Sequence, residues 1–127
     1  MTEYFKAFEL TCKCCGASGF KQATLDRLTK LRMLYQKPIT LSSAYRCPEA
    51  NIKGGYTQTH STGQAVDIVC SGPEAFEIIR LALLCKFTGI GVSQRNGRER
   101  FVHLDDLTDA QAKQQNGAAS RPTIWGY

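Results

Sequence analysis

An aspartate in the middle of an apolar run is the feature that most restricts how this chain can fold. In Ala65-Val66-Asp67-Ile68-Val69-Cys70, strand alternation puts Ala65, Asp67 and Val69 on one face and Val66, Ile68 and Cys70 on the other. An unpaired carboxylate buried in such a strand is heavily penalised, so if the strand is buried a metal or a cation should lie near Asp67. The chain has two histidines, and both sit in short segments that can meet this acid: His60, opening His60-Ser61-Thr62-Gly63-Gln64-Ala65-Val66-Asp67, and His103, in Phe101-Val102-His103-Leu104-Asp105. Two imidazoles and a carboxylate are the donors of a hydrolytic zinc site, which keeps a further position for water, whereas a structural zinc is usually closed by four side chains. Either segment alone reads more readily as a hydrogen-bonded core or surface histidine beside apolar residues. Together they point to His60, Asp67 and His103 as ligands of Zn2+.

The rest of the chain predicts one compact α+β domain over residues 1–127, a small antiparallel sheet with flanking helices. Within it, residues 1–22 form a cysteine-containing N-terminal segment and residues 107–120 a polar loop. Leu25, Leu28, Leu31 and Tyr35 recur at helical spacing from Thr24 to Tyr35, and Pro38 ends that run. Ile39 to Ala44 reads as a strand, and Gly54-Gly55 as a turn before the His60 segment. Ser71-Gly72-Pro73-Glu74 fits a Ser-x-x-Glu capping box opening a helix to about Lys86, with Phe76, Ile79 and Leu83 buried. Asn96-Gly97 suits a two-residue turn between Gly89-Ile90-Gly91-Val92 and the His103 segment. That turn would pair Val92 with Phe101 and Ile90 with His103, and would place Glu99, Phe101, His103 and Asp105 on one face.

Composition narrows the function classes only a little. With 43% apolar and 21% charged residues the chain is an ordinary globular protein. No apolar run approaches the length needed to span a bilayer, and the start, Met1-Thr2-Glu3-Tyr4-Phe5-Lys6, shows no secretory signal. A net charge of +5 and a pI near 9.0 favour approach to an anionic polymer without conferring specificity. Arg95, Arg98 and Arg100 are the densest basic group, and they read as a solvated hairpin tip. No nucleic-acid module is visible, so no nucleic-acid partner is expected, and the protein is expected to be a monomer.

The runs Ile39-Thr40-Leu41-Ser42-Ser43-Ala44-Tyr45-Arg46-Cys47-Pro48-Glu49-Ala50-Asn51, Gly54-Gly55, His60 to Ile68, Gly89-Ile90-Gly91-Val92 and Phe101 to Asp105 carry a resemblance. In order and spacing, S-x-Y-R-x-P, H-x6-D and F-V-H-x-D are similar to the zinc D-Ala-D-Ala carboxypeptidase family of peptidoglycan peptidases. The likeness is greatest to its small single-domain branch, whose relatives include carboxypeptidases, cross-link endopeptidases and phage lysis enzymes. It spans about Ile39 to Trp125. It implies a hedgehog/DD-peptidase-like fold with zinc in a cleft on the sheet, His60, Asp67 and His103 as ligands, and Arg46 facing the substrate. Trp125, in Arg121-Pro122-Thr123-Ile124-Trp125, resembles the family's terminal Arg-and-Trp segment and would wall the cleft or simply pack in the core.

The chain also departs from the family. Relatives often put a carboxylate three residues before the final His, or another His two before it, where this chain has Arg100 and Phe101. The general base is therefore open between Asp105 and Glu99. Along a regular strand Glu99 would lie roughly 13 Å from His103 and Asp105 roughly 6.7 Å, which favours Asp105. Asp105 is equally suited to orienting His103 through its other nitrogen. Glu99 becomes the better base if the hairpin is bulged or broken there. Gln58-Thr59 also replaces the Ser-x-His often seen before the first ligand. Similar phage proteins carry a cysteine-rich segment near the start and a cysteine in Tyr-Arg-Cys-Pro. By that likeness Cys12, Cys14 and Cys15 with Cys47 form a disulfide in the first place, with a thiolate-bound second zinc or free thiols as alternatives. Cys70 and Cys85 read as free core thiols.

The expected function is a zinc-dependent hydrolase that cleaves peptide bonds in peptidoglycan stem peptides or cross-links, with a peptidoglycan peptide as its partner. The expected route to the cell wall, after synthesis in the cytoplasm, is release through a pore or carriage on a virion. Removal of terminal D-Ala is the nearest alternative. A metal-bearing binding module without catalysis is the alternative of a different class.

Overall fold

A computed structural model describes residues 4–47, 58–115 and 119–127. The elements are α1 (Ala7–Leu10), α2 (Gln22–Tyr35), β1 (Thr40–Ser43), a 3-10 turn (Gln58–Thr62), β2 (Ala65–Val69), α3 (Pro73–Leu84), β3 (Gly89–Ser93), β4 (Phe101–Asp105), α4 (Asp109–Lys113) and β5 (Thr123–Gly126). The Gly54-Gly55 turn falls outside the described residues. Among those residues no helix is long and apolar enough to cross a membrane.

The five strands form one sheet in the order β1-β2-β4-β3-β5. The fold is α+β as expected, but the sheet is mixed, because β5 runs parallel to β3 while the other neighbours are antiparallel. The chain leaves β4 at Asp105, folds α4 where only a polar loop was expected, and comes back beside the start of β3. Thr108 caps α4 by accepting from the Gln111 N–H at 3.1 Å. Thr123 N–H then donates to Thr88 O at 2.9 Å, starting β5 in the same direction as β3.

The two faces of the sheet are chemically opposite. One face buries Val66 and Ile68 of β2, Ile90 of β3, and Val102 and Leu104 of β4 against Leu28, Leu31 and Tyr35 of α2 and Ile78 and Leu81 of α3. The alternation predicted for β2 and β4 therefore holds. Asp67, His103 and Asp105 stand on the other face, where the 3-10 turn and β5 flank them. The α2 helix stops at Gln36, whose left-handed backbone (φ 62°) lets its N–H return to Arg32 O at 3.0 Å, ahead of Pro38.

Two local expectations are corrected. No Ser71 capping box forms at α3. Gly72 takes the cap position without a side-chain cap, and its N–H is held instead by Gln94 Oε1 at 3.1 Å from the connection after β3. The buried face of α3 is also rotated from the one expected. It is Ala75, Ile78, Leu81 and Ala82, while Phe76 and Leu83 are 73% and 55% exposed and Ile79 is only partly buried. Apolar residues surround this helix, so periodicity does not single out a face, and the small Ala75 and Ala82 occupy the side that packs inward.

The hairpin register differs by one residue. Ser93 pairs with Phe101, Val92 with Val102 and Gly91 with His103, so Ile90 meets Leu104 and not His103. A two-residue turn at Asn96-Gly97 would require strands running up to it. Instead β3 ends at Ser93 and β4 starts at Phe101, and Arg100 closes the long connection by donating to Asn96 Oδ1.

Candidate metal centre

The three expected ligands converge. One donor atom from each of His60, Asp67 and His103 lies within 4.8 Å of the other two. Asp67 and His103 are direct cross-strand partners on β2 and β4, and His60 comes from the 3-10 turn just before β2. Asp67 Oδ1 is 3.2 Å from His60 Nε2 and 3.0 Å from His103 Nδ1.

The far side of each imidazole is held. His60 Nδ1 lies 2.7 Å from Ala44 O. A carbonyl only accepts, so this nitrogen carries the proton and Nε2 presents a lone pair toward Asp67. His103 Nε2 lies 2.7 Å from Asp105 Oδ2, which directs its Nδ1 into the same space. Both rings are almost fully buried. Burial pushes His60 toward its neutral form, against the pull of Asp67. For His103 burial works the same way, but Asp105 and Asp67 outweigh it and hold the ring above its ordinary value. Burial would raise the Asp67 carboxyl, yet its contacts with His103 and His60 hold it well below the usual range. A neutral His60 Nε2 facing a carboxylate oxygen sets two acceptors against each other unless a cation stands between them. The donor set therefore fits a divalent metal, with each imidazole oriented through its other nitrogen in the manner of metal sites.

Asp105 belongs to the support of this centre. It is fully buried, and besides His103 it receives Arg121, with Nε 2.9 Å from Oδ1 and Nη2 2.8 Å from Oδ2. Burial opposes its charge, but His103 and Arg121 prevail and hold the carboxyl at about 2. Glu99 is exposed on the connection ahead of β4, where the regular strand has not begun. Arg46 is brought to the site: its N–H donates to His60 O at 3.2 Å, its carbonyl accepts from Ser61 Oγ at 2.7 Å, and its charge bears on His60 and Tyr127.

The aromatic wall comes from β5. Trp125 lies 5.2 Å from the His103 ring, with the Arg121 guanidinium 5.1 Å from the indole. The observed register makes this possible. Gly91 stands opposite His103, and a Cβ there would come within 2.6 Å of Trp125 Nε1. Tyr127 packs on Phe101 at 5.2 Å. Sequence reasoning noted Arg121 only as part of a terminal motif. The signal that points to it is the neighbouring Asp105, a buried acid that requires a cation.

The cysteines form a second cluster. The thiols of Cys12, Cys14 and Cys47 lie within 4.8 Å of one another, and none of the six cysteines is disulfide-bonded, where a disulfide to Cys47 was the first expectation.

Fold and donors together define a small α+β domain with a ligand set of the hydrolytic-metal kind on one face of its sheet. The chain matches the Peptidase M15 family model over residues 3–105, and it belongs to that family. This places it among metallopeptidases whose relatives depend on zinc. The matched stretch contains His60, Asp67 and His103, while Arg121 and Trp125 lie beyond it. A search of curated proteins finds no match.

Proposed function

We propose that this protein is a zinc-dependent peptidase acting on the peptide part of peptidoglycan, by cleavage within stem peptides or cross-links. The observation that carries this reading is the convergence of His60, Asp67 and His103 with both outer imidazole nitrogens already engaged. Bound there, zinc would lower the pKa of a water molecule and polarise the scissile carbonyl.

The remaining roles fall to the chain itself. Arg46 offers a fixed positive charge beside His60, suited to a stem-peptide carboxylate or to the oxyanion that develops at the cleaved bond. Asp105 is a positioning residue that orients His103, since both its oxygens are committed to His103 and Arg121. Proton transfer to the leaving amine is then assigned to Glu99, whose connection is not part of the regular hairpin. Trp125 and Tyr127 flank the ligands and limit how substrate lies across them. With no nucleic-acid partner, the protein would act as a monomer on the wall after passage through a pore or delivery on a virion, as a lysis enzyme does.

The test is mass spectrometry of fragments released from purified peptidoglycan by zinc-loaded and chelated protein. Metal-dependent cross-link or stem fragments are expected. Release of D-Ala alone would replace this reading with a carboxypeptidase, and no product from several wall chemistries would replace it with a non-catalytic binding module. Glu99→Gln should lose turnover with zinc retained. Asp105→Asn should weaken zinc binding by roughly 10–100-fold, the usual cost of losing a group that orients a ligand. Full zinc affinity with lost turnover in Asp105→Asn would return the base role to Asp105.

A further inference from the structure

We propose that Cys12, Cys14, Cys15 and Cys47 form a second zinc site, a closed thiolate site that fastens the N-terminal segment to the chain beside Arg46.

Three sulfurs, those of Cys12, Cys14 and Cys47, already lie within 4.8 Å of one another, and the Cys15 thiol interacts with both Cys12 and Cys47. In a tetrahedral site with Zn–S near 2.3 Å, neighbouring sulfurs stand about 3.8 Å apart, so a small contraction completes the set. The local backbone has the form such sites use. Cys12-Lys13-Cys14-Cys15-Gly16 folds into a tight turn in which Gly16 N–H donates to Cys12 O at 2.7 Å and Cys12 N–H to Ala17 O at 2.9 Å. Gly16 supplies the left-handed residue (φ +73°) that lets the chain reverse there.

The donors around Cys12 also point to a thiolate. Its sulfur is buried, yet the Cys47 N–H reaches it at 3.3 Å, and the backbone N–H groups of Cys14 and Cys15 act in the same direction. A disulfide joins two sulfurs and gives no reason for three to gather or for backbone N–H groups to point at one of them. A metal supplies both reasons, because each bound thiolate keeps lone pairs that backbone donors can meet.

The position gives the site its consequence. Cys47 directly follows Arg46, and Ala44, whose carbonyl fixes His60, precedes it by three residues. Lys13 adds a bond across the same junction, from Nζ to Ser42 O at 3.0 Å. A metal here would brace the segment that presents Arg46 and orients His60 while taking no part in bond cleavage.

The test uses the full chain and does not depend on peptidase activity. Protein purified under reducing conditions is exchanged into cobalt(II), and both metal content and absorption are recorded. Wild type is expected to hold two ions per chain and to show sulfur-to-cobalt charge-transfer bands. A His60→Ala/His103→Ala variant should keep one ion and those bands, and Cys12→Ser/Cys47→Ser should keep one ion and lose them. Should the cysteine variant fail to fold, the histidine variant still decides the matter. Absence of charge-transfer bands in wild type, with the thiols freely alkylated or with a mass lower by two hydrogens from a disulfide, overturns the proposal. Loss of peptidase activity in any variant has no bearing on it.

Discussion

The two ligand clusters are built in contrasting ways. The His60–Asp67–His103 set is assembled from two strands that pair across the sheet and the 3-10 turn before one of them, with the outer nitrogen of His60 anchored by the distant Ala44 and that of His103 by Asp105 on its own strand. The cysteine cluster draws Cys12 and Cys14 from one short turn and Cys47 from elsewhere. The first is positioned by the whole fold, so its geometry exists before any ion arrives. The second is positioned by local backbone and one long-range tie, so an ion there would help to create the geometry it occupies.

The largest expected effect separates the two outright. His103→Ala should bring peptidoglycan cleavage to background and remove metal from the sheet site, with thiolate absorption of the cobalt protein unchanged; parallel loss at both clusters would show that they are one unit. The next effect probes the anchoring. Arg121→Ala leaves the Asp105 carboxylate buried with half its partners gone, which should cost about 3–5 kcal/mol of stability in urea denaturation. A change near zero would mean that Asp105 does not depend on this pair. Gly91→Ala should destabilise by roughly 1–3 kcal/mol, because the added methyl overlaps the indole. Trp125 is the only tryptophan in the chain, so its fluorescence should shift at the same time, and an unchanged spectrum would contradict the packing. The smallest effect sharpens the contrast between thiols. Burial pushes Cys70 up to about 11, so it stays protonated at neutral pH and should react slowly with iodoacetamide. The reaction should accelerate only as pH approaches that value; rapid labelling of native protein at neutral pH would contradict the effect of its partial burial.

Much of this arrangement is legible in the sequence, and the rest fails for specific reasons. The strand around Asp67 is readable because one polar residue interrupts a strict alternation, and the ligand set is readable because few other residues can serve. The face of α3 is not readable, since Phe76, Ile79 and Leu83 are as apolar as Ile78 and Leu81, and packing against α2 makes the choice. The capping box fails because Gln94, distant in sequence, takes over the N–H that opens the helix. The hairpin slips by one residue because Asn96-Gly97 sits inside a connection closed by the Arg100 side chain, a tie that no turn propensity encodes. The parallel strand β5 leaves no signal in four residues, so although a buried Asp105 calls for a cation, that Arg121 supplies it becomes readable only once β5 is placed beside β3.

The order of the strands carries a kinetic consequence. Both β2 and β4 are interior strands, hydrogen-bonded on each side, and Asp67 and His103 sit at their centres. Fraying at an edge of the sheet exposes neither residue, so their amides should exchange with deuterium only as fast as the domain unfolds globally. Of the three ligands Asp67 keeps the most exposed side chain, at 15%, so a metal held there would exchange past Asp67 without any strand separating.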